Sequence, residues 1–173
     1  MATTTHKSTK VASKIISPVV TPGLTQTDST ARVPLGTIVW TDAGGIAEYI
    51  YALSELSQYA FCIVYDGGTA NMATTTLAND GGGSKKIACP QASIASAFYG
   101  WGMRMGTFIG RFSDDAADNV PLFTTATAGE LDDATVSNCL VAGVYLNTTE
   151  SLATALTCMA LTPMYVAPYT NPA

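Results

Sequence analysis

The chain has 173 residues, a net charge of −5 and only 12% charged side chains against 47% hydrophobic ones. That length suits one domain with a tail, in which about 70% of the unfolded surface can be buried. So little charge excludes a wholly disordered chain and predicts a surface covered in part by partners rather than by water.

The charge is unevenly placed. Residues 1–32 carry Lys7, Lys10, Lys14 and Arg32 against Asp28, a sum of +3, while residues 33–173 carry four bases against twelve acids, a sum of −8. The division predicts an extended N-terminal arm over 1–32 and a β domain over 33–173. A basic arm on an acidic body fits a tail that docks on a negative surface. Three lysines are too few for nucleic acid, where several phosphate contacts set affinity. An acidic protein surface is the expected partner.

Within the arm, Val11, Ile15, Ile16, Val19 and Val20 form apolar clusters among Thr and Ser. Either they fill pockets on a neighbouring subunit or the segment is a floppy tail. The body opens on Val33–Trp40, stops at the turn signal Thr41–Gly45, and resumes at Ile46–Ala52, a predicted hairpin. Ser54–Tyr59 reads as a short helical turn or loop. Phe61–Tyr65 is the most hydrophobic run and reads as a strand buried on both faces. Residues 69–84 end in three consecutive glycines and read as a mobile loop. Gly83-Ser84-Lys85-Lys86 lacks the Gly-Lys-Ser/Thr of a phosphate-binding loop, so no nucleotide cofactor is expected.

Lys85–Cys89 is a predicted strand that leads to the central stretch Ile94–Phe112. Its glycines at 100, 102, 106 and 110 make a poor helix. As a strand it places Phe98, Gly100 and Gly102 on one face and Tyr99, Trp101, Met103 and Met105 on the other. The nearly bare face predicts close approach of another backbone. Tyr99, Trp101, Phe61 and Val64 are therefore candidate core residues, with a ligand groove at Trp101 as the alternative. Asp114, Asp115 and Asp118 lack the glycine and terminal glutamate of a calcium loop and read as solvated. Strands are then expected at Pro121–Thr125, Cys139–Leu146 and Thr154–Val166, with a turn at Ala126–Asp133. Eight or nine short strands at such spacing predict an all-β sandwich or barrel.

Four cysteines without CxxC spacing stand in apolar runs and read as buried thiols. The single histidine, His6, lies in the arm, so zinc, Cys–His and Ser-His-Asp chemistry all lack their partner. Asp114-Asp115 and Asp132-Asp133 are adjacent pairs whose side chains should point apart into water. No catalytic, cofactor-binding or metal residue is expected, and no enzyme. Residues 1–10 lack the apolar core of a secretory signal, and Leu152–Ala167 is too interrupted to span a membrane. Assembly in a reducing cytoplasm is expected.

Pro34-Leu35-Gly36-Thr37, Glu48-Tyr49-Ile50-Tyr51-Ala52, Tyr99-Gly100-Trp101 with Gly106, Thr125–Asp132 and Gly143-Val144 occur in an order that resembles the head decoration (capsid cement) proteins of tailed bacteriophages. The resemblance covers about residues 33–146. It implies a compact β domain on the outer surface of a virion, bound to the major capsid protein, stabilising the shell and self-associating as a dimer or trimer. Lys7, Lys10, Lys14, Ile15, Ile16, Val19 and Val20 would then form the capsid-binding arm. A carbohydrate-binding tail or fibre module, with sugar stacked on Tyr99 or Trp101, is the alternative.

Overall fold

The computed structural model describes residues 15–16, 23–80, 85–114, 116–134, 139–147 and 155–168. It is an all-β fold with one short helix. The strands are β1 (Ile15–Ile16), β2 (Ile38–Thr41), β3 (Ile46–Ala52), β4 (Cys62–Val64), β5 (Thr69–Met72), β6 (Lys85–Pro90), β7 (Tyr99–Arg111), β8 (Leu122–Thr124), β9 (Leu131–Asp132), β10 (Cys139–Leu146) and β11 (Ala155–Pro168); α1 is Thr75–Asn79. They join in the order β1-β2-β3-β5-β4-β6-β7-β11-β10-β8-β9. A further pairing of β3 with β7 closes the central strands β3-β5-β4-β6-β7 into a ring. The result is a small barrel with β1–β2 as one wing and β11-β10-β8-β9 as the other. All of these ladders are antiparallel except β3–β5.

Alternation along the strands explains the two cores. Ile50, Ala52, Cys62, Val64, Ala70 and Ala88 meet with Leu56 and Ile94 in one cluster. Side chains that converge from around a closed ring lie inside it, so this cluster fills the lumen. The lumen is narrow because β7 turns glycine toward it. A Cβ on Gly102 would stand 2.8 Å from the Cβ of Ala88, so the bare face predicted for this strand lies against β6. The opposite alternation, with Tyr49, Phe61, Ile63, Ile87, Trp101 and Met103, packs outside the barrel against Phe108 and the second wing. Trp101 is 1% exposed. Tyr99 is half-buried at the edge of this core and stacks on Tyr49 with ring centroids 6.0 Å apart.

Residues 23–32, counted above with the arm, pack on the body. Leu24 is buried in the outer core. Asp28 and Tyr99 exchange both backbone hydrogen bonds, at 2.9 and 2.8 Å. The Arg32 amide donates to the Tyr49 hydroxyl at 3.3 Å.

Residues 69–80 are not a loop. Thr69–Met72 forms β5 in parallel with β3. Thr74 then caps α1, its Oγ1 accepting from the Leu77 amide at 3.2 Å. At the other end Lys85 Nζ donates to the carbonyls of Leu77 at 2.7 Å and Ala78 at 3.2 Å, and to that of Asp80. The glycine-rich remainder, 81–84, lies outside the described residues. Ser54–Tyr59 resolves as a loop rather than a helical turn, with Leu56 bridged to Ile94. The turn at 126–133 also holds β9, paired to β8.

β7 organises both halves of the molecule. Met105 pairs with Ile46 and Met103 with Ala47, which leaves Arg104 as the extra residue of a bulge. Gly106 follows with φ of +103°, a conformation open to glycine. Beyond it β7 leaves β3 and pairs with β11 from Gly106 to Arg111.

Gly102→Ala is expected to destabilise the fold by about 1–3 kcal/mol in urea unfolding, since the added methyl meets Ala88. Stabilisation, the usual result of removing a strand glycine, would contradict the narrow lumen. All four cysteines are free and buried. Burial is the largest effect on the Cys62 thiol and pushes it up to about 12, and it pushes Cys89 and Cys158 well above their ordinary value. Aromatic-disulfide reagents at pH 8 are therefore expected to label no thiol until denaturant is added, and four afterwards. Stability carried by the neutral Cys62 thiol is complete below an ordinary thiol value of 9.0 and is lost as pH rises toward about 12.

Candidate functional site

Glu48 is the one ionised residue of β3, and Arg104 stands between Met103 and Met105 in β7, whose other charge, Arg111, closes the strand. Lone charges of opposite sign in paired strands point to a buried ion pair, a signal present in the sequence and not used there. Along β3, Glu48 shares the face of Ile50 and Ala52; along β6, Lys86 shares the face of Ala88. Both therefore continue the lumen toward one open end. The Arg104 bulge turns its guanidinium to the same place. Arg104 Nη1 donates to Glu48 Oε2 at 2.5 Å and Nη2 donates to the Met164 carbonyl at 3.1 Å. Lys86 Nζ stands 3.5 Å from Glu48 Oε1 and is 46% exposed, whereas the Glu48 side chain is 2% exposed. Arg104 Nε is buried and has no hydrogen-bond partner among the described residues.

The Met164 contact fixes a second irregularity. β10 and β11 pair at Ala142–Tyr165 and again at Val144–Ala160, so Leu161–Met164 bulge out opposite Gly143. This bulge stands where β11 passes from β7 to β6. Arg104 thus ties β7, β3 and β11 together at the barrel mouth.

Above these charges lies a recess of about 370 Å³, rimmed by Ile38, Ile46 and Pro163 and floored by Glu48, Lys86 and Arg104. The rim is unusually apolar for open surface. On β2, Val39 and Thr41 turn inward, leaving Ile38 and Trp40 outside, with Trp40 59% exposed. On β11, Leu161 is 63% exposed and Tyr165 is also exposed. Tyr165 pairs with Lys86 on one side and Ala142 on the other. Tyr145 of β10 is exposed too, beside Met159. Met159 and Leu161 line a second recess with Ala43 and Gly44 of the β2–β3 turn. Four of the seven large exposed hydrophobics among the described residues, Ile38, Trp40, Leu161 and Tyr165, thus stand on β2 and β11 beside these recesses, and Tyr145 extends the face one strand further onto β10.

Lys7, Lys10, Lys14, Val19 and Val20 lie outside the described residues. Ile15 and Ile16 form β1, paired with Thr41 and Trp40 at the edge of β2. Trp101, Phe61 and Val64 lie in the two cores, and Trp101 offers no open ring face for a sugar. Asp132 and Asp133 do not point apart into water. β9 ends at Asp132, the Asp133 amide donates to Asp132 Oδ1 at 2.9 Å, and Asp133 Oδ2 accepts from the Ala117 amide at 3.3 Å. Burial first, then its side-chain hydrogen bond with Asp133, raises the Asp132 carboxyl. The exposed face was missed because Ile38, Trp40, Leu161 and Tyr165 read in sequence as core, with no polar alternation to mark them as outward.

Comparison with protein-family models, with curated proteins and with solved structures gave no match.

Arg104→Met is expected to cost about 3–5 kcal/mol, because it strands the Glu48 carboxylate inside the barrel end. The double variant Arg104→Met/Glu48→Leu is expected to recover most of that loss. Equal destabilisation of the single and double variants in urea melts would show that the pair is not the pin of the mouth.

Proposed function

We propose that this chain is a structural, non-enzymatic assembly subunit: a decoration or cement protein on the outer capsid surface of a tailed bacteriophage, bound to its major capsid protein. The observation that carries the reading is the apolar face around the barrel mouth. A body summing to −8 over residues 33–173 exposes Ile38, Trp40, Tyr145, Leu161 and Tyr165 on β2, β10 and β11. Such a patch marks a surface covered in the working state. The arm adds a second element of the same kind. Its charge is opposite to the body's, and its Ile15–Ile16 segment is strand-forming and edge-seeking. The resemblance in residues 33–146 supplies the identity of the partner, and the basic arm supplies an acidic landing surface. The subunit works by bridging: the arm is held by one shell protein while the body rests on its neighbours. Copies of the chain associate with one another on the shell.

The experiment adds purified full-length chain to phage heads stripped of outer proteins, followed by co-sedimentation and electron cryomicroscopy. Decoration of the outer surface is expected. A chain lacking residues 1–22 is expected to fold, since the packed body begins near Gly23, and to decorate poorly. Ile15, Ile16, Val19 and Val20, half-buried on the shell, would contribute on the order of 4 kcal/mol, whereas exposed lysine pairs contribute about 0–1 kcal/mol each. Replacing those four by Ser should therefore weaken decoration more than raised salt does. Undiminished decoration without residues 1–22 would overturn the anchoring role.

A further inference from the structure

We propose that the apolar face around the barrel mouth is the self-association surface of this protein, occupied by the same face of a second copy across a two-fold axis. The inference rests on the assembly-subunit reading and deepens it by assigning the contact between copies.

Area is the first argument. Ile38, Trp40, Tyr145, Leu161 and Tyr165 are each exposed by 41% or more. Five side chains of this size expose on the order of 600 Å² at such fractions. That is at the upper end of the about 300–600 Å² patch that a monomer leaves open. It is also most of the roughly 800 Å² that each partner of a standard interface buries.

Charge is the second. Two bodies of −8 each repel least when they approach through a surface that is poor in acid. At the mouth Glu48 is offset by Arg104 and Lys86, which leaves +1. Glu48 is buried beneath the rim and Asp42 is half-buried in the turn beside the second recess, so the partner meets hydrocarbon, one ammonium and part of one carboxylate. The other two large exposed hydrophobics, Leu53 and Phe98, lie together elsewhere, Phe98 accepting from the Ala52 amide. They are too few to make a comparable surface.

Shape is the third. Leu161–Pro163 project as a bulge, and recesses stand on both sides of it, one at Pro163 with Ile38 and one at Leu161 with Ala43. A projection flanked by hollows is self-complementary under a two-fold rotation, the commonest closed symmetry.

Sedimentation equilibrium of the full chain at rising concentration tests this. A species of twice the 17.9 kDa chain mass is expected. Trp40→Ser/Leu161→Ser is expected to weaken association at least tenfold with an unchanged circular dichroism spectrum. Leu53→Ser, at an exposed apolar site away from the face, is expected to leave association intact. A wild-type chain monomeric at every concentration would overturn the proposal, as would equal association by the Trp40/Leu161 variant. If the chain is monomeric yet that variant no longer decorates shells, the face belongs to the shell protein, and the second copy is wrong while the capsid reading stands. If the dimer forms through this face but shells are not decorated, the capsid reading fails and the self-association stands.

Discussion

One buried ion pair sets the geometry of this molecule. A buried guanidinium is costly unless its donors find partners, and Arg104 gives Nη1 to Glu48 and Nη2 to the Met164 carbonyl, while its Nε finds none among the described residues. Each partner lies on a different strand, so satisfying one side chain fixes three. The extra residue in β7, the change of partner at Gly106 and the bulge in β11 are local irregularities that one arginine makes mutually consistent. Without them β7 could not serve a closed barrel in its first half and an open wing in its second. A substitute with fewer donors would leave the carboxylate to Lys86 alone or the carbonyl without this partner.

The same pair also accounts for the character of the mouth. The apolar lumen, filled by Ile50, Leu56, Val64 and Ile94 with Ala, Gly and Cys between them, ends at the Glu48–Arg104 pair, which is buried under hydrocarbon. The lumen has no room for a ligand, since even a methyl added at Gly102 would stand 2.8 Å from the Cβ of Ala88. Whatever this barrel does, it does with its outside. The acidic loops and the apolar face divide that outside into a charged part and a hydrocarbon part.

Much of the architecture was legible from local pattern. β-branched and aromatic runs bounded by Gly and Asp placed β2, β3, β4, β6, β10 and β11, and the glycine spacing identified β7 and its close approach. What escaped were elements whose residues carry little side-chain signal. β5 reads Thr-Ala-Asn-Met and is a strand because β3 and β4 offer it hydrogen bonds, not because its propensity demands one. α1 is five residues long and exists through Thr74 and Lys85 at its ends. Closure of the ring was not readable either, because it depends on β3 pairing with β7 across intervening strands. The candidate face was hidden for a related reason: hydrophobic strand residues face either core or partner, and periodicity alone does not distinguish them.

The ring also governs how the chain reaches its fold. Ile46 must find Met105 and Tyr51 must find Tyr99, so the closing loop runs to roughly fifty residues and costs entropy before any contact offsets it. The hairpin β2–β3 and the β4–β5 pair are local and can form early, but neither buries its inner face until β7 arrives. Nucleation is therefore postponed to the moment when the last-made strand of the barrel is captured. Until then β3 offers an unsatisfied edge beside the hydrophobic run of β4. A chain emerging from the ribosome holds that edge open for the time needed to synthesise residues 53–105, an interval in which speed of capture, rather than final stability, decides between folding and aggregation.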